Sequence, residues 1–330
     1  MLADVAQAAG VSKATASKAL NGRPEVNAAT RRRVESVARE LGFTPNLAAQ
    51  SLAVGRTGIV GLLTSDLDGR FVLPILAGAQ DTLGANELSV LLSDAHGDSI
   101  RELHQLRVLR GRRVDGLIVV GRSTDPRPSL GQSLGVPVVY CYAPSDDQGD
   151  LSLVPDNVGA GRTAADHLVS IGRNRIVHIT GDPDYAAARD RAKGADARLD
   201  GEGITRLGDV LYGDWTQKWG RKGTAALLDR HPGVDAIIAG SDLIAVGALE
   251  VLRDRGARVP EDVAVIGFDN WTVLATNSRP ELTTIDMNLE QLGREAAQRL
   301  FRAIDGSPGP AGVHALPCRL VIRGSTMAET

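Results

Sequence analysis

Apolar positions along the chain fall into two textures. In residues 2 to 41 they recur at helical spacing: Leu2, Val5, Ala6 and Ala9 form one stripe, Gly10 breaks it, and a second segment starts after Ser12. A third helix follows Asn27, whose side chain can cap the helix N-terminus, with Val34, Val37, Ala38 and Leu41 as its apolar face. Residues 42 to 57 form a connector in which Pro45 opens a further helical turn through Leu52. From residue 58 the texture changes to short, nearly continuous apolar runs separated by amphipathic stretches. The runs are Ile59–Leu63, Leu88–Leu92, Gly116–Val120, Val136–Tyr142, Arg175–Thr180, Ala236–Ala239 and Val263–Phe268. Such runs predict parallel strands covered on both faces, with ligands bound beyond their carboxyl ends. Polar groups stand at several of those ends: Thr64, Ser65 and Asp66, then Asp182, then Ser241 and Asp242, then Asp269 and Asn270.

Composition adds limits to this picture. A chain of 330 residues exceeds what one core usually supports, so at least two folding units are expected. Aromatic residues make up only 3%, which suits layered helix-on-sheet packing and an α/β class. Residues 1 to 57 hold eight Lys or Arg against four Asp or Glu, and residues 58 to 330 hold 29 against 36, so a head of +4 precedes a body of −7. A small basic head points to a polyanionic partner for that part alone. Cys141 and Cys318 lie far apart, which predicts two free thiols and no metal site. No basic-then-apolar leader and no apolar run of roughly 18 to 20 residues is present, so a cytoplasmic protein without membrane insertion is expected.

Ala6, Gly10 and Val11 have the spacing of a helix-turn-helix: a small residue where helices touch, a glycine at the turn, an apolar lock behind it. Ser12 then caps the second helix, which presents Lys13, Ala14, Ser17 and Lys18 outward and Ala16, Ala19 and Leu20 inward. Arg31, Arg32 and Arg33 open the third helix, where they are placed to contact phosphate. Two rivals remain at this stage. The body alone would serve as a solute-binding protein of a transporter, which the basic head opposes. An α/β enzyme is the other, but the chain carries no P-loop, G-x-S-x-G elbow or H-E-x-x-H, and no G-x-G-x-x-G after a strand. His167 and His178 are isolated and suit core or surface roles better than catalysis. No catalytic residue, metal or cofactor is expected.

The stretch Leu2 to Leu52, with the string DVAQAAGVSKATASKALNGRPEVNAATRRRVESVARELGFTPNLAAQSLA at 4–53, resembles the lactose-repressor and galactose-repressor (LacI/GalR) family of bacterial regulators. The resemblance implies a sequence-specific regulator, a repressor, whose second helix enters the major groove with Lys13, Ala14, Ser17 and Lys18 at base edges and Thr15 at the backbone. PNLAAQSLA resembles the family's hinge helix, with Asn46, Ala49 and Leu52 as further DNA contacts and Leu52 as the minor-groove wedge. Two features depart from the family. Lysine stands at Lys18 where arginine is common, and it lacks the bidentate fork for guanine. The chain also starts almost at its first helix.

The resemblance continues through VPDN (154–157), HLVSIGRNRIVHITG (167–181), ARDRAKG (188–194), GSDLIAVGAL (240–249), VPEDVAVIGFDN (259–270) and LTTIDMNLEQLG (282–293). It implies a type I periplasmic-binding-protein-like body of two doubly wound parallel-sheet lobes, joined by crossovers near 157, 288 and 318. The expected domains are a helix-turn-helix head at 1–43, a hinge at 44–57 and the body at 58–330. The body's lobes would be 58–157 with 289–317, and 158–288 with 318–330. By motif match, Arg191 and Asp269 contact a small-molecule effector, Trp215 offers an aromatic platform, and Phe71, Tyr142 and Ser241 occupy further contact positions. An aromatic beside fixed charges favours a sugar. Substituting Arg191 or Asp269 is expected to abolish the effector response and leave folding intact. The chain ends in MAET without leucine heptads, so a homodimer on an approximately palindromic operator is expected.

Overall fold

The computed structural model describes residues 1–20, 23–43, 55–86, 88–131 and 134–327. The chain divides into two compact units, Met1–Gly58 and Ile59–Thr330.

The first unit packs α1 (Leu2–Ala8), α2 (Lys13–Leu20) and α3 (Ala28–Glu40). Its core is built from small residues: Val5, Ala6, Ala9, Ala16, Ala19, Val26, Val34 and Ala38, flanked by Leu2, Val11, Leu20, Val37 and Phe43. The turn after α1 needs a left-handed residue. Gly10 supplies it at φ +64°, so Val11 N can donate to Ala6 O at 3.0 Å and Gly10 N to Gln7 O at 3.1 Å. Leu41 does not belong to the apolar face assigned to it. It follows the last turn of α3 and is 53% exposed, and Phe43 packs on the core in its stead.

The second unit holds two sheets. The six-stranded sheet has the order β10-β5-β4-β3-β1-β2, with β1 Ile59–Thr64, β2 Ser89–Asp94, β3 Gly116–Val120, β4 Val138–Cys141, β5 Leu151–Pro155 and β10 Gly312–Leu316. Every pairing in it is parallel. Helices α4 (Val72–Gly84) and α11 (Leu289–Ile304) cover one face through Ile75, Ala79, Leu83, Leu292, Ala296 and Leu300. Helix α5 (Ser99–Gly111) covers the other through Leu106 and Leu109.

The five-stranded sheet has the order β11-β9-β8-β7-β6, with β6 Ile176–Ile179, β7 Ala236–Ala239, β8 Ala264–Phe268, β9 Thr283–Asp286 and β11 Arg319–Val321. Only β11 runs antiparallel to its neighbour. Helices α6 (Asn157–Ser170) and α7 (Ala186–Gly201) cover one face, and α8 (Gln217–Arg230) and α9 (Asp242–Asp254) the other. The short α10 (Thr272–Ala275) lies between β8 and β9. The chain thus leaves the first sheet after β5, returns as α11 and β10, and leaves again for β11. Cys141 and Cys318 are free thiols.

Candidate functional site

On the head, Ser12 sets the start of α2. Its Oγ accepts from Thr15 N at 3.0 Å and lies 2.8 Å from Thr15 Oγ1. That bond fixes Thr15 as part of the cap, while Ala16 and Ala19 turn into the core. Lys13, Ala14 and Lys18 are left exposed and Ser17 half-buried on the outer face. Asn27 caps α3 by accepting from Thr30 N at 2.8 Å. The Arg31 guanidinium donates to Arg23 O at 2.7 Å and braces the segment before α3. Arg32 and Arg33 remain exposed. Asn46, Ala49 and Leu52 lie outside the described residues.

In the body, a cavity of about 160 Å³ opens between the carboxyl ends of the two sheets. The first sheet reverses its strand order between β1 and β3, and such a switch point leaves a crevice. Arg70 and Phe71 follow β1 there, Arg122, Ser123 and Thr124 follow β3, and Tyr142 follows β4. The Phe71 and Tyr142 rings stack at 5.0 Å, which gives the cavity an apolar floor. The opposite wall carries Tyr185, Ala187, Arg191, Trp215 and Asp269.

Arg191 is held from three sides although it is almost fully buried. Its Nε donates to Asn157 Oδ1 at 2.9 Å, one terminal nitrogen donates to Gly240 O at 2.6 Å, and the other lies 3.5 Å from Met287 Sδ. The guanidinium also stacks 4.8 Å from the Phe268 ring centre. Its helix, α7, approaches α6 closely because Gly161 and Gly194 carry no side chains: a Cβ on Gly161 would strike Arg191 O, and one on Gly194 would strike Val158 O.

Asp269 sits 3.7 Å from Arg191 and forms a short ion pair with Arg70, so it joins the two walls. Its backbone is left-handed, φ +102°, followed by Asn270 at +50°, a conformation that non-glycine residues adopt only when the surroundings enforce it. The enforcement is visible. Asp269 N donates to Ile285 O at 2.8 Å, Asn270 N donates to Thr284 Oγ1 at 3.2 Å, and Trp271 N donates to Asp242 Oδ2 at 2.7 Å. Thr284 Oγ1 in turn donates to Asp242 Oδ1 at 2.6 Å. Burial, and after it the neighbouring Asp269 charge, push the Asp242 carboxyl well above the usual carboxylate range. Burial and the same charge push the Tyr142 phenol upward, so it stays protonated as a hydroxyl.

Of the six effector positions inferred from the resemblance, the structure brings Phe71, Tyr142, Arg191, Trp215 and Asp269 to one cavity. It does not bring Ser241, whose Oγ accepts from Ile244 N at 3.3 Å as the cap of α9. Sequence reasoning missed Arg70, Arg122, Thr124 and Tyr185. The strand-end rule applied to β3 would have found Arg122 and Thr124, and nothing local marks Arg70. Among the described residues, three wall atoms are buried without a partner: Trp215 Nε1, Arg70 Nε and Thr124 Oγ1. A bound polar molecule would satisfy them. His178, inside β6, and His167, bonded to Thr326 Oγ1 at 2.8 Å, take no part in the cavity. Among the described residues, no cluster of three or more His, Cys, Asp or Glu is placed to hold a metal, and no helix is long and apolar enough to cross a membrane.

The family model described as "Bacterial regulatory proteins, lacI family" matches residues 1–46. Over 98% of its length the chain is 37% identical to the HTH-type transcriptional regulator CelR of Thermobifida fusca, covering 96% of that protein. The chain belongs to the LacI family of bacterial regulatory proteins. A second family model, the periplasmic binding protein-like domain, matches residues 165–326. Catabolite control protein A of Priestia megaterium is 31% identical over 98% of both chains. Among solved structures, the Lac repressor dimer bound to operator and the anti-inducer ONPF superposes with a TM-score of 0.77 at 28% identity, covering 99% of each chain. A CelR–cellobiose complex superposes at 0.67 with 32% identity, covering 98% of this chain and 99% of that one. This LacI-family chain is therefore a DNA-binding transcriptional regulator and not an enzyme, with a helix-turn-helix head and a type I periplasmic-binding-protein-like body.

Proposed function

We propose that this regulator is a cytoplasmic repressor that binds an approximately palindromic operator as a homodimer, and that a carbohydrate in the body's cavity changes its operator affinity. The observation that carries the reading is the convergence of Arg191 and Asp269, 78 residues apart in sequence, to 3.7 Å beside the stacked pair Phe71–Tyr142. Fixed charges beside a flat apolar surface suit a polyol with a ring face. A related regulator has been solved with cellobiose, which supports the same ligand class here.

In this reading residues 1–43 form the DNA-binding head, 44–57 the hinge and 58–330 the two-lobed body. Lys13, Ala14, Ser17 and Lys18 meet base edges, Thr15 the backbone, and Asn46, Ala49 and Leu52 the hinge contacts. By linkage, whatever factor the effector takes from operator affinity, the operator takes from effector affinity. The test pairs two assays on the purified chain: thermal shift across mono- and disaccharides, and operator binding with and without any sugar that stabilises it. A sugar that raises the melting temperature and changes operator affinity supports the reading. Stabilisation with no change in operator affinity would separate the cavity from the switch.

A further inference from the structure

We infer that the effector carries an anionic group, a carboxylate or a phosphate, seated against Arg122, Arg70, Tyr142 and Trp215; this rests on the sugar reading above and narrows it to acidic sugars.

The first ground is charge. Three guanidinium groups line the cavity, those of Arg70, Arg122 and Arg191, against the single carboxylate of Asp269. That carboxylate is already engaged by Arg70 and Arg191. Arg122 is exposed and makes no ion pair or hydrogen bond among the described residues, so its guanidinium donors are open to a ligand.

The second ground is the kind of hydrogen bond left unmade. Trp215 Nε1 and Arg70 Nε are buried without partners among the described residues, and both are donors that can never accept. Thr124 Oγ1 is likewise unpartnered and can donate. Tyr142 retains its phenolic proton. A neutral sugar presents hydroxyls that must place their own protons on acceptors, and the one charged acceptor in this cavity is taken. An anion needs donors only, and charge-assisted bonds to it are the stronger kind.

The outer neighbourhood shows where the uncharged part of such a ligand would lie. Through Arg122 and Tyr185 the cavity adjoins a groove of about 480 Å³ lined by Ser65, Asp66, Asp68 and His96. Carboxylates there accept from hydroxyls and repel an anion. The acidic group therefore points inward and the polyol outward.

The test is a thermal-shift and calorimetric comparison of matched sets on the full chain: glucose with glucuronate, gluconate and glucose 6-phosphate, and cellobiose with cellobionate, with citrate as a non-sugar anion. The expected result is that at least one acidic sugar binds about ten- to hundredfold more tightly than its neutral parent. Its advantage should shrink as salt rises from 50 to 500 mM and narrow about tenfold in Arg122→Gln, an exposed position at which the fold is not at risk. The carboxylate and phosphate arms identify which anion the site takes. A neutral parent that binds as tightly as its acidic forms overturns the inference and leaves the sugar reading standing. Binding of citrate alone overturns the sugar reading while the charge assignment survives, and no binding by any member overturns both.

Discussion

The head and the cavity put their working residues in opposite circumstances. On the head, Lys13, Ala14 and Lys18, proposed readers of DNA, are exposed on one face of α2, and their neighbour Thr15 also serves the fold, through the Ser12 cap. In the cavity, Arg191 and Asp269 are buried, and each is part of the network that holds the body together. A residue that only reads can be exchanged at the expense of binding alone. One that also holds the fold couples binding to stability, so its removal is expected to act on both. The structure thereby alters the expectation that Arg191→Ala leaves folding intact.

That variant should show the largest effect. It removes the effector response and leaves Asn157 Oδ1 and Gly240 O without their donor inside the body, at a cost of about 2–4 kcal/mol. Urea unfolding alongside effector titration checks both halves. An unchanged midpoint with a lost response would break the comparison, because Arg191 would then behave like a head residue.

Burial in the body has a further consequence that pH exposes. His178 is fully enclosed in β6 with neither ring nitrogen bonded, and burial, reinforced by the Arg206 charge, pushes its pKa down to about 3. Its folded value lies below the usual 6.5, so the unfolded chain binds the extra proton. The stability this neutral ring contributes is present above about pH 6.5 and is lost as pH falls toward 3. The slope approaches about 1.4 kcal/mol per pH unit within that window. Unfolding titrations between pH 7 and 4 should show it, and His178→Leu should flatten it. An equal acid slope in that variant would assign the effect to other groups.

The same contrast explains what the sequence made legible. The proposed readers of the head sit within six consecutive positions, so local spacing, a cap at Ser12 and the glycine turn picked out the outward-facing side chains, and the resemblance gave them their DNA roles. Long apolar runs gave β1, β3, β7 and β8 almost to the residue. Leu151–Pro155, Thr283–Asp286 and Gly312–Leu316 were not recognised as strands: each is short, and Ser152, the pair Thr283–Thr284 and His314 interrupt the apolar run. Thr283 and Thr284 are fully buried, yet their hydroxyls are satisfied by Arg323 and Asp242, which no local pattern records. Gly312–Leu316 is an edge strand whose residues alternate in exposure. In the cavity, the strand-end pattern marked Asp269, and only the resemblance gave it and Arg191 an effector role. Arg70 was not visible at all, since its partner Asp269 is 199 residues away. Ser241, carried over from the family, does not line the cavity, and its hydroxyl caps a helix.

On the head, where binding is separable from folding, the effects are smaller and more specific. Lys18→Ala should weaken operator binding by about 1 to 3 kcal/mol and leave random-sequence DNA nearly unaffected, whereas Arg32→Ala should weaken both alike. Competition binding at one fixed salt concentration separates the two. Equal losses on operator and random DNA for Lys18→Ala would remove Lys18 from the base-reading set and place it with the phosphate contacts.

The smallest effect sharpens the comparison from the side of stability. Ser12, beside the proposed reading face, serves the fold with its side chain, through the bond from Thr15 N and the contact with Thr15 Oγ1. Ser12→Ala leaves that amide to water and should cost about 1 kcal/mol. In the body such a loss would be a small part of the total. The head has little to spare, because its core consists largely of alanine and valine and small units bury too little apolar surface to be robust. The head's own thermal transition, followed by circular dichroism, should therefore fall by roughly 5 °C or more while the body's transition stays in place. Operator and random DNA should weaken together, because the folded fraction of the head, not its base contacts, is what changes. Loss of operator binding alone, with both transitions unmoved, would make Ser12 a DNA contact and not a cap.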